Sequence, residues 1–261
     1  MRELVISALL TVLLTVGLTA QQKPAAWSEW SRQDAEKLLN DSPWAQTQVE
    51  TDTSEMTYSP TNGGGAGSRP ARTTGMRDEQ SDRNRNRAAE GAYNQAVETK
   101  YRIRFLSAKP IREALANLIV QQQSGTNADD EKKKQLVRAE MQEFVDRDFR
   151  DFIVVTVTFE ASDGRVTGKA FQDFGSAVTD KLKNNTYLER NDGQRLFLID
   201  YRVPTGDGLG ARFIFPRIFD GHPFLNGDSR EVRFYSEVGP NTKLNRRFKV
   251  SDMFYQGKLE Y

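Results

Sequence analysis

Phe152-Ile153-Val154-Val155-Thr156-Val157-Thr158-Phe159 is apolar or β-branched at every position. A strand with one wet face alternates between apolar and polar residues, so an unbroken run predicts a central strand covered on both faces. Around it the expected core sets Phe152, Val154, Val155 and Val157 against Leu115, Leu118, Phe144 and Phe171.

Upstream, Tyr101-Arg102-Ile103-Arg104-Phe105 alternates strictly and predicts a strand with three apolar side chains on one face and two arginines on the other. A helix started by Pro110 follows, with Ile111, Ala114, Leu115, Leu118 and Ile119 at helical spacing. After the polar break 124–127, a second helix is expected over Asp129 to Asp148. Its stripe is Val137, Met141, Phe144, Val145 and Phe149, with Lys132, Lys133 and Lys134 in solvent. Downstream, a third helix over Thr167 to Lys183 would turn Phe171, Phe174, Val178 and Leu182 inward. The remainder reads as strands at Leu196 to Val203, Arg212 to Phe219, Glu231 to Val238 and Arg247 to Tyr261, separated by Gly- and Asn-rich turns. Helices first and strands later predict an α+β domain over residues 93–261, a largely antiparallel sheet packed with about three amphipathic helices.

Residues 21–51 form a Trp-rich segment. Ser31 can cap a short helix whose Asp34 reaches back to the cap, a variant capping box. Ala35, Leu38 and Leu39 share one helical face, Asn40-Asp41-Ser42-Pro43 stops the helix, and Trp44 to Thr51 reads as extended. The segment is expected to dock on the main domain. Residues 52–92 change character, with Gly63-Gly64-Gly65-Ala66-Gly67 and Asp82-Arg83-Asn84-Arg85-Asn86-Arg87. Burial there would not offset the entropy of ordering, which predicts a flexible, disordered Gly/Arg-rich linker.

The chain opens with Met1-Arg2-Glu3 and stays uncharged from Leu4 to Ala20. A short charged start, an apolar run and a small residue at the end predict a cleavable secretory signal over residues 1–20, with an uncleaved anchor as the alternative. The run is diluted by Thr11, Thr15, Gly17 and Thr19, whereas a span wants roughly 20 predominantly apolar residues. No membrane span is expected once the signal is removed. An exported chain with no cysteine fits the bacterial envelope or the medium, periplasmic or extracellular, better than a disulfide-stapled animal or plant secretion. A net charge of +1 gives no field to draw the protein to nucleic acid.

Chemistry-bearing patterns are few. His222 is the single histidine, set in a turn by composition, and no cysteine joins it. Neither a soft-ligand zinc site nor a supported Ser-His-Asp triad is expected, so no metal and no cofactor are assigned. Gly206-Asp207-Gly208-Leu209-Gly210 precedes a strand rather than a helix, which makes it a wide hairpin loop instead of a phosphate cradle. Asp207 lacks the periodic aspartates of a calcium repeat. Glu160, Asp163, Asp173 and Asp200 are the carboxylates near enough to the core to serve a glycoside-type hydrolase. The arginines of 69–87 read as a solvated linker, with docking on an anionic polymer the alternative. Met253, Tyr255, Leu259 and Tyr261 on one strand face look like the terminal strand of an outer-membrane barrel, but the intervening helices argue against a barrel. Trp27, Trp30 and Trp44 are the candidates for ligand contact by stacking, against the plainer expectation that they dock the short helix on the core.

Trp27-x-x-Trp30, Lys37 to Ala45 and Tyr255 to Glu260 resemble parts of exported bacterial proteins of unknown function. The resemblance covers the two ends and implies no activity, ligand or catalytic residue. The expectation is a non-catalytic envelope or secreted protein acting by binding or assembly, with an envelope protein or polymer as partner; the alternative is a carboxylate-dependent envelope hydrolase.

Overall fold

In the computed structural model the described residues are 26–52, 97–122, 128–162, 164–240 and 242–261. The expected signal over 1–20, the polar break 124–127 and, Asp52 apart, the expected linker over 52–92 lie outside them. A 3-10 turn at Trp27–Glu29 leads into α1 (Arg32–Asn40), β1 (Ala45–Asp52) and β2 (Val97–Phe105). Then come α2 (Lys109–Gln122), α3 (Ala128–Val145), β3 (Phe152–Ala161), α4 (Gly164–Ser176) and α5 (Thr179–Leu182). The strands that follow are β4 (Thr186–Arg190), β5 (Arg195–Phe197), β6 (Asp200–Arg202), β7 (Ala211–Pro216), β8 (Ile218–Phe219) and β9 (His222–Pro223). Last are β10 (Glu231–Glu237), β11 (Lys243–Lys249), β12 (Phe254–Tyr255) and β13 (Lys258–Leu259). One sheet runs β1-β2-β3-β7-β6 and a second runs β11-β10-β4-β5, with small hairpins β8-β9 and β12-β13. The strand pairs are antiparallel, so the protein is α+β with antiparallel sheets.

The two sheets face each other across an aromatic core. Phe105 on β2 meets Phe248 on β11 edge-on at 4.9 Å, and Phe213 on β7 meets Phe234 on β10 at 5.3 Å. All four rings are fully buried, and each such side chain contributes about 1.5–3 kcal/mol of burial free energy. Alternation follows from this: Ile153, Val155 and Val157 face the second sheet, while Phe152, Val154 and Thr156 face outward.

Both lateral openings between the sheets are bridged. On one side Gln48 of β1 donates to the Lys243 carbonyl at 2.6 Å and accepts from the Asn245 amide at 2.9 Å. On the other, the chain itself crosses over, Leu198 N–H bonding Thr186 in one sheet and Ile199 N–H bonding Ile214 in the other. At one end Phe174 of α4 stacks on Phe159 at 5.0 Å beside Tyr101, and the Tyr201 hydroxyl donates to the Phe174 carbonyl at 2.6 Å.

The helices α1 and α3 both pack on α2. Trp27, Ala116, Val120 and Val145 form a second small cluster there. Two buried arginines tie these helices down. Arg104 donates to the Leu39 carbonyl at 2.7 Å and to Asn40 Oδ1 at 3.3 Å. Arg112 donates to the carbonyls of Val145, Leu106 and Ser107. Burial holds the Arg104 guanidinium down at about 10, with Arg102 adding to the effect.

Several expectations are corrected. Phe152 is 45 % exposed and Phe171 59 % exposed, so neither joins the core, although Val154, Val155 and Val157 are buried. The helix expected over Thr167 to Lys183 breaks after Ser176, and Val178 is the extended N-cap of α5, which leaves it exposed. Ala170, Phe174 and Ala177 define the buried side, about 100° around from Phe171 per residue step. The run Leu196 to Val203 is two strands in different sheets. The strand expected over Arg212 to Phe219 ends at Pro216, and Phe219 belongs to the hairpin β8-β9. The tail from Arg247 is not one strand: β11 ends at Lys249, and Gln256 and Gly257, at φ 50° and 79°, turn the chain into a hairpin. Ser31 accepts from the Asp34 amide as expected, and its hydroxyl donates to the Asp34 carboxylate.

Candidate functional site

Strand register builds a groove on the outer face of the five-stranded sheet. Thr156, Arg212 and Arg202 form one row across β3, β7 and β6; Val154, Ile214 and Asp200 form the next; Phe152 opposite Pro216 forms the third. Successive rows lie two residues apart, so the step from Arg212 to Pro216 covers about 13 Å of strand. The last turn of α3 and the residues after it supply Phe144, Arg147, Asp148 and Phe149 as one wall, and the β6-β7 loop supplies Asp207 and Leu209 as another. The enclosed volume is about 710 Å³, within the range of small-molecule clefts. Its apolar lining includes Phe152 and Ile199, which are 45 % and 48 % exposed.

The walls are fixed. Phe149 lies under the Arg112 guanidinium at 4.8 Å, and its carbonyl accepts from Arg217 Nε at 3.0 Å. In the loop, Asp207 accepts from the Leu209 amide at 3.1 Å and pairs with Arg212. Gly210 sits at φ 78°, and a Cβ there would come within 2.2 Å of the Val157 carbonyl oxygen, so the loop closes on β3 only with glycine.

Charges in the groove are unevenly satisfied. Arg202 pairs with Asp200 at 3.3 Å, and Asp148 is engaged by Arg150. Among the described residues Arg147 has no ion-pair partner and lies 6.0 Å from the Phe144 ring. Burial lowers the Arg212 pKa, and the neighbouring guanidiniums of Arg202 and Arg147 lower it further. Arg202 and Arg212 therefore share one end of the groove, and Arg147 on the wall is near enough to act on Arg212. A further cavity of about 610 Å³, lined also by Arg112, Arg217 and Glu260, shares Arg147, Asp148 and Phe149 with the groove.

A smaller cleft of about 280 Å³ opens where β1 and β2 meet α4. Glu50, Asp52 and Asp173 line it together with Lys169, Tyr101 and Thr242. Asp173 accepts from Thr242 Oγ1 at 2.9 Å, and a Cβ on Gly239 would stand 2.6 Å from its carboxyl carbon. Burial raises the Glu50 carboxyl, partly offset by a hydrogen bond from Gln48. The Tyr101 phenol is pushed up to about 12, by burial first and then by the charge of Glu50.

The residues singled out by sequence are dispersed. Trp27 is buried and donates to Gln142 at 3.1 Å, Trp30 is half-buried beside it, and Trp44 is buried and donates to the Glu260 carbonyl at 2.7 Å. Glu160 is exposed, and the hydrogen bond from Arg102 at 2.7 Å holds its carboxyl below the usual range. Asp163 lies outside the described residues. Asp173 and Asp200 fall in different cavities. His222 is exposed on β9, and among the described residues no cluster of three or more metal-ligating side chains occurs. No described helix is long and apolar enough to cross a membrane. The Gly206 to Gly210 segment is a hairpin loop joining β6 to β7, as its composition predicted. The groove itself escaped the sequence reading, because its lining comes from five separate stretches between Leu106 and Ile214.

No family model, no curated protein and no solved structure matches the chain.

Proposed function

We propose that the protein is a non-catalytic exported protein of the bacterial envelope that acts by binding, with the outer-sheet groove as its binding site. Export rests on the uncharged run ending at Ala20 and on the absence of cysteine. The observation that carries the binding reading is the exposure of Phe152 and Ile199 in a preformed groove rimmed by arginines. Large apolar side chains left open beside fixed polar groups mark ligand and partner sites. A Phe152→Glu/Ile199→Glu double variant should keep its melting temperature yet lose whatever the parent captures from envelope extract. Undiminished capture refutes the reading.

The hydrolase alternative has one supporting observation, the burial-raised Glu50 carboxyl in the same cleft as Asp173. A carboxyl whose pKa is raised by burial, with a second carboxyl in the same cleft, suits the acid of a glycoside-cleaving site. The volume of about 280 Å³ falls just below the usual range for ligand clefts, which places this reading second. Glycan cleavage abolished by Glu50→Gln would establish it, and cleavage unchanged in that variant would exclude it.

A further inference from the structure

We infer that the groove accepts a single-chain anionic amphiphile, its phosphate or carboxylate head at Arg147, Arg202 and Arg212 and its chain along Val154, Ile214 and Phe152. This rests on the binding reading above and specifies its ligand. The argument is the polarity of the groove along the strand axis. Arg202 and Arg212 are paired across β6 and β7, each also held by a carboxylate, Asp200 and Asp207, and Val154, Ile214 and Phe152 occupy the next two rows in one direction, with Asp200 at the β6 end of the middle row. The guanidiniums of β6 and β7 thus lie in one row and the apolar side chains in the next two, with the Asp200 carboxylate turned onto Arg202 and Thr179, the distribution that matches a head and a tail. Arg147 is the cation without a carboxylate partner among the described residues, and its charge adds to the burial and the Arg202 charge that lower the Arg212 pKa. A bound anion relieves this repulsion and forms charge-assisted hydrogen bonds with guanidinium groups.

An extended peptide adding to the sheet edge is disfavoured by a second observation. The Tyr201 amide of edge strand β6 already donates to Thr179 Oγ1 at 3.0 Å, and Asp200 accepts from the same hydroxyl at 3.3 Å. The side chain of α5 thus occupies the edge that strand addition would need. Ligand recognition is left to side chains over the sheet face, which suits an amphiphile lying on that face.

The test is calorimetric titration of the purified protein with monomeric dodecyl phosphate, dodecanoate, uncharged dodecyl maltoside and inorganic phosphate. Saturable one-to-one binding of an anionic amphiphile is expected, at least tenfold tighter than that of the maltoside or inorganic phosphate. Preference between phosphate and carboxylate heads separates a phospholipid-like source from a fatty-acid source. Arg147→Glu should weaken the anionic probe at least tenfold and leave the maltoside unchanged, whereas Lys249→Glu, an equal change of charge on the exposed side of β11, should do neither. Phe152→Ser should weaken both dodecyl probes. Equal binding of charged and uncharged probes, inorganic phosphate bound as tightly as dodecyl phosphate, or an inert Arg147→Glu would each overturn the inference. An acidic peptide bound tenfold tighter than every amphiphile would also overturn it. If no amphiphile binds but the Phe152→Glu/Ile199→Glu variant still loses its envelope partner, the ligand class fails and the binding reading stands. Loss of neither defeats both.

Discussion

Val154 on β3 and Ile214 on β7 stand directly opposite each other on the outward face of the five-stranded sheet, and both line the groove. Their neighbours Val155 and Phe213, paired one step along, are fully buried on the inward face. The same two strands therefore supply the core with one set of side chains and the floor of the candidate site with the other. Val155→Asp would place a charge without a partner between Phe105 and Phe213, at a cost of several kcal/mol. Loss of the cooperative melting transition is expected, and a soluble variant with a parental transition would show that β3 is not central.

Gln48 should behave as the fastener of the open side. Gln48→Leu leaves the Lys243 carbonyl and the Asn245 amide without that partner, which should cost about 1–3 kcal/mol. Urea unfolding measures this. Gln48→Glu keeps the acceptor for Asn245 but sets a carboxylate against the Lys243 carbonyl and the Glu50 carboxylate, to which Gln48 donates at 2.9 Å, so it should cost at least as much as Leu.

Gly210 links the hairpin loop to the groove. Gly210→Ala forces a Cβ against the Val157 carbonyl at a positive φ, and a cost of about 2 kcal/mol or more is expected from the left-handed backbone and the contact together. Binding should weaken along with stability, because Asp207 and Arg212 flank this turn. Gly193, at φ 85° with open space around it, is the comparison. Gly193→Ala should lower stability less and leave binding alone.

Glu113 should impose a pH dependence on stability. Burial raises its carboxyl pKa, partly offset by the hydrogen bond from the Tyr255 hydroxyl. The folded state then holds this proton to higher pH than the unfolded state does. Its contribution is most favourable below the unfolded pKa and declines as pH rises through the raised folded value. Glu113→Gln removes that slope, so the variant should gain on the parent between pH 4 and pH 7 in thermal melts. A gap that widens in the parent's favour over that range would contradict the assignment.

Much of the fold was legible because local pattern and tertiary demand agreed. The β3 run lacks any charge before Glu160 and lies in the middle of its sheet, and the strict alternation of Tyr101 to Phe105 survives as inward Tyr101, Ile103 and Phe105. Arg104 lies on the opposite face, as the alternation predicts, and is buried there because the end of α1 supplies carbonyl and amide oxygens to its guanidinium. Such a partner cannot be seen in a strand's own sequence. The two late hairpins were missed for a related reason. Asp220-Gly221 and Gln256-Gly257 both take positive φ at two successive residues, a tight hairpin turn; glutamine is a weak advertisement for that geometry, and the Asp-Gly signal is flanked by paired strands of only two residues each. The groove was illegible because Phe144 and Phe152 read as ordinary core residues and Ile199 as one position in a continuous strand, until register and crossover bring Phe152 and Ile199 to the outward face beside α3.

The most direct measurement is photo-crosslinking from a light-activated residue placed at position 152 or 199, with position 171 as the control. Phe171 is 59 % exposed but belongs to α4 and does not line the groove. Intact mass of the adducts formed in envelope extract should show the same bound species from 152 and 199 and none of it from 171. Adducts from 171 indistinguishable from those of the groove, or no adduct from either groove position, would contradict the claim that this groove is where the protein binds.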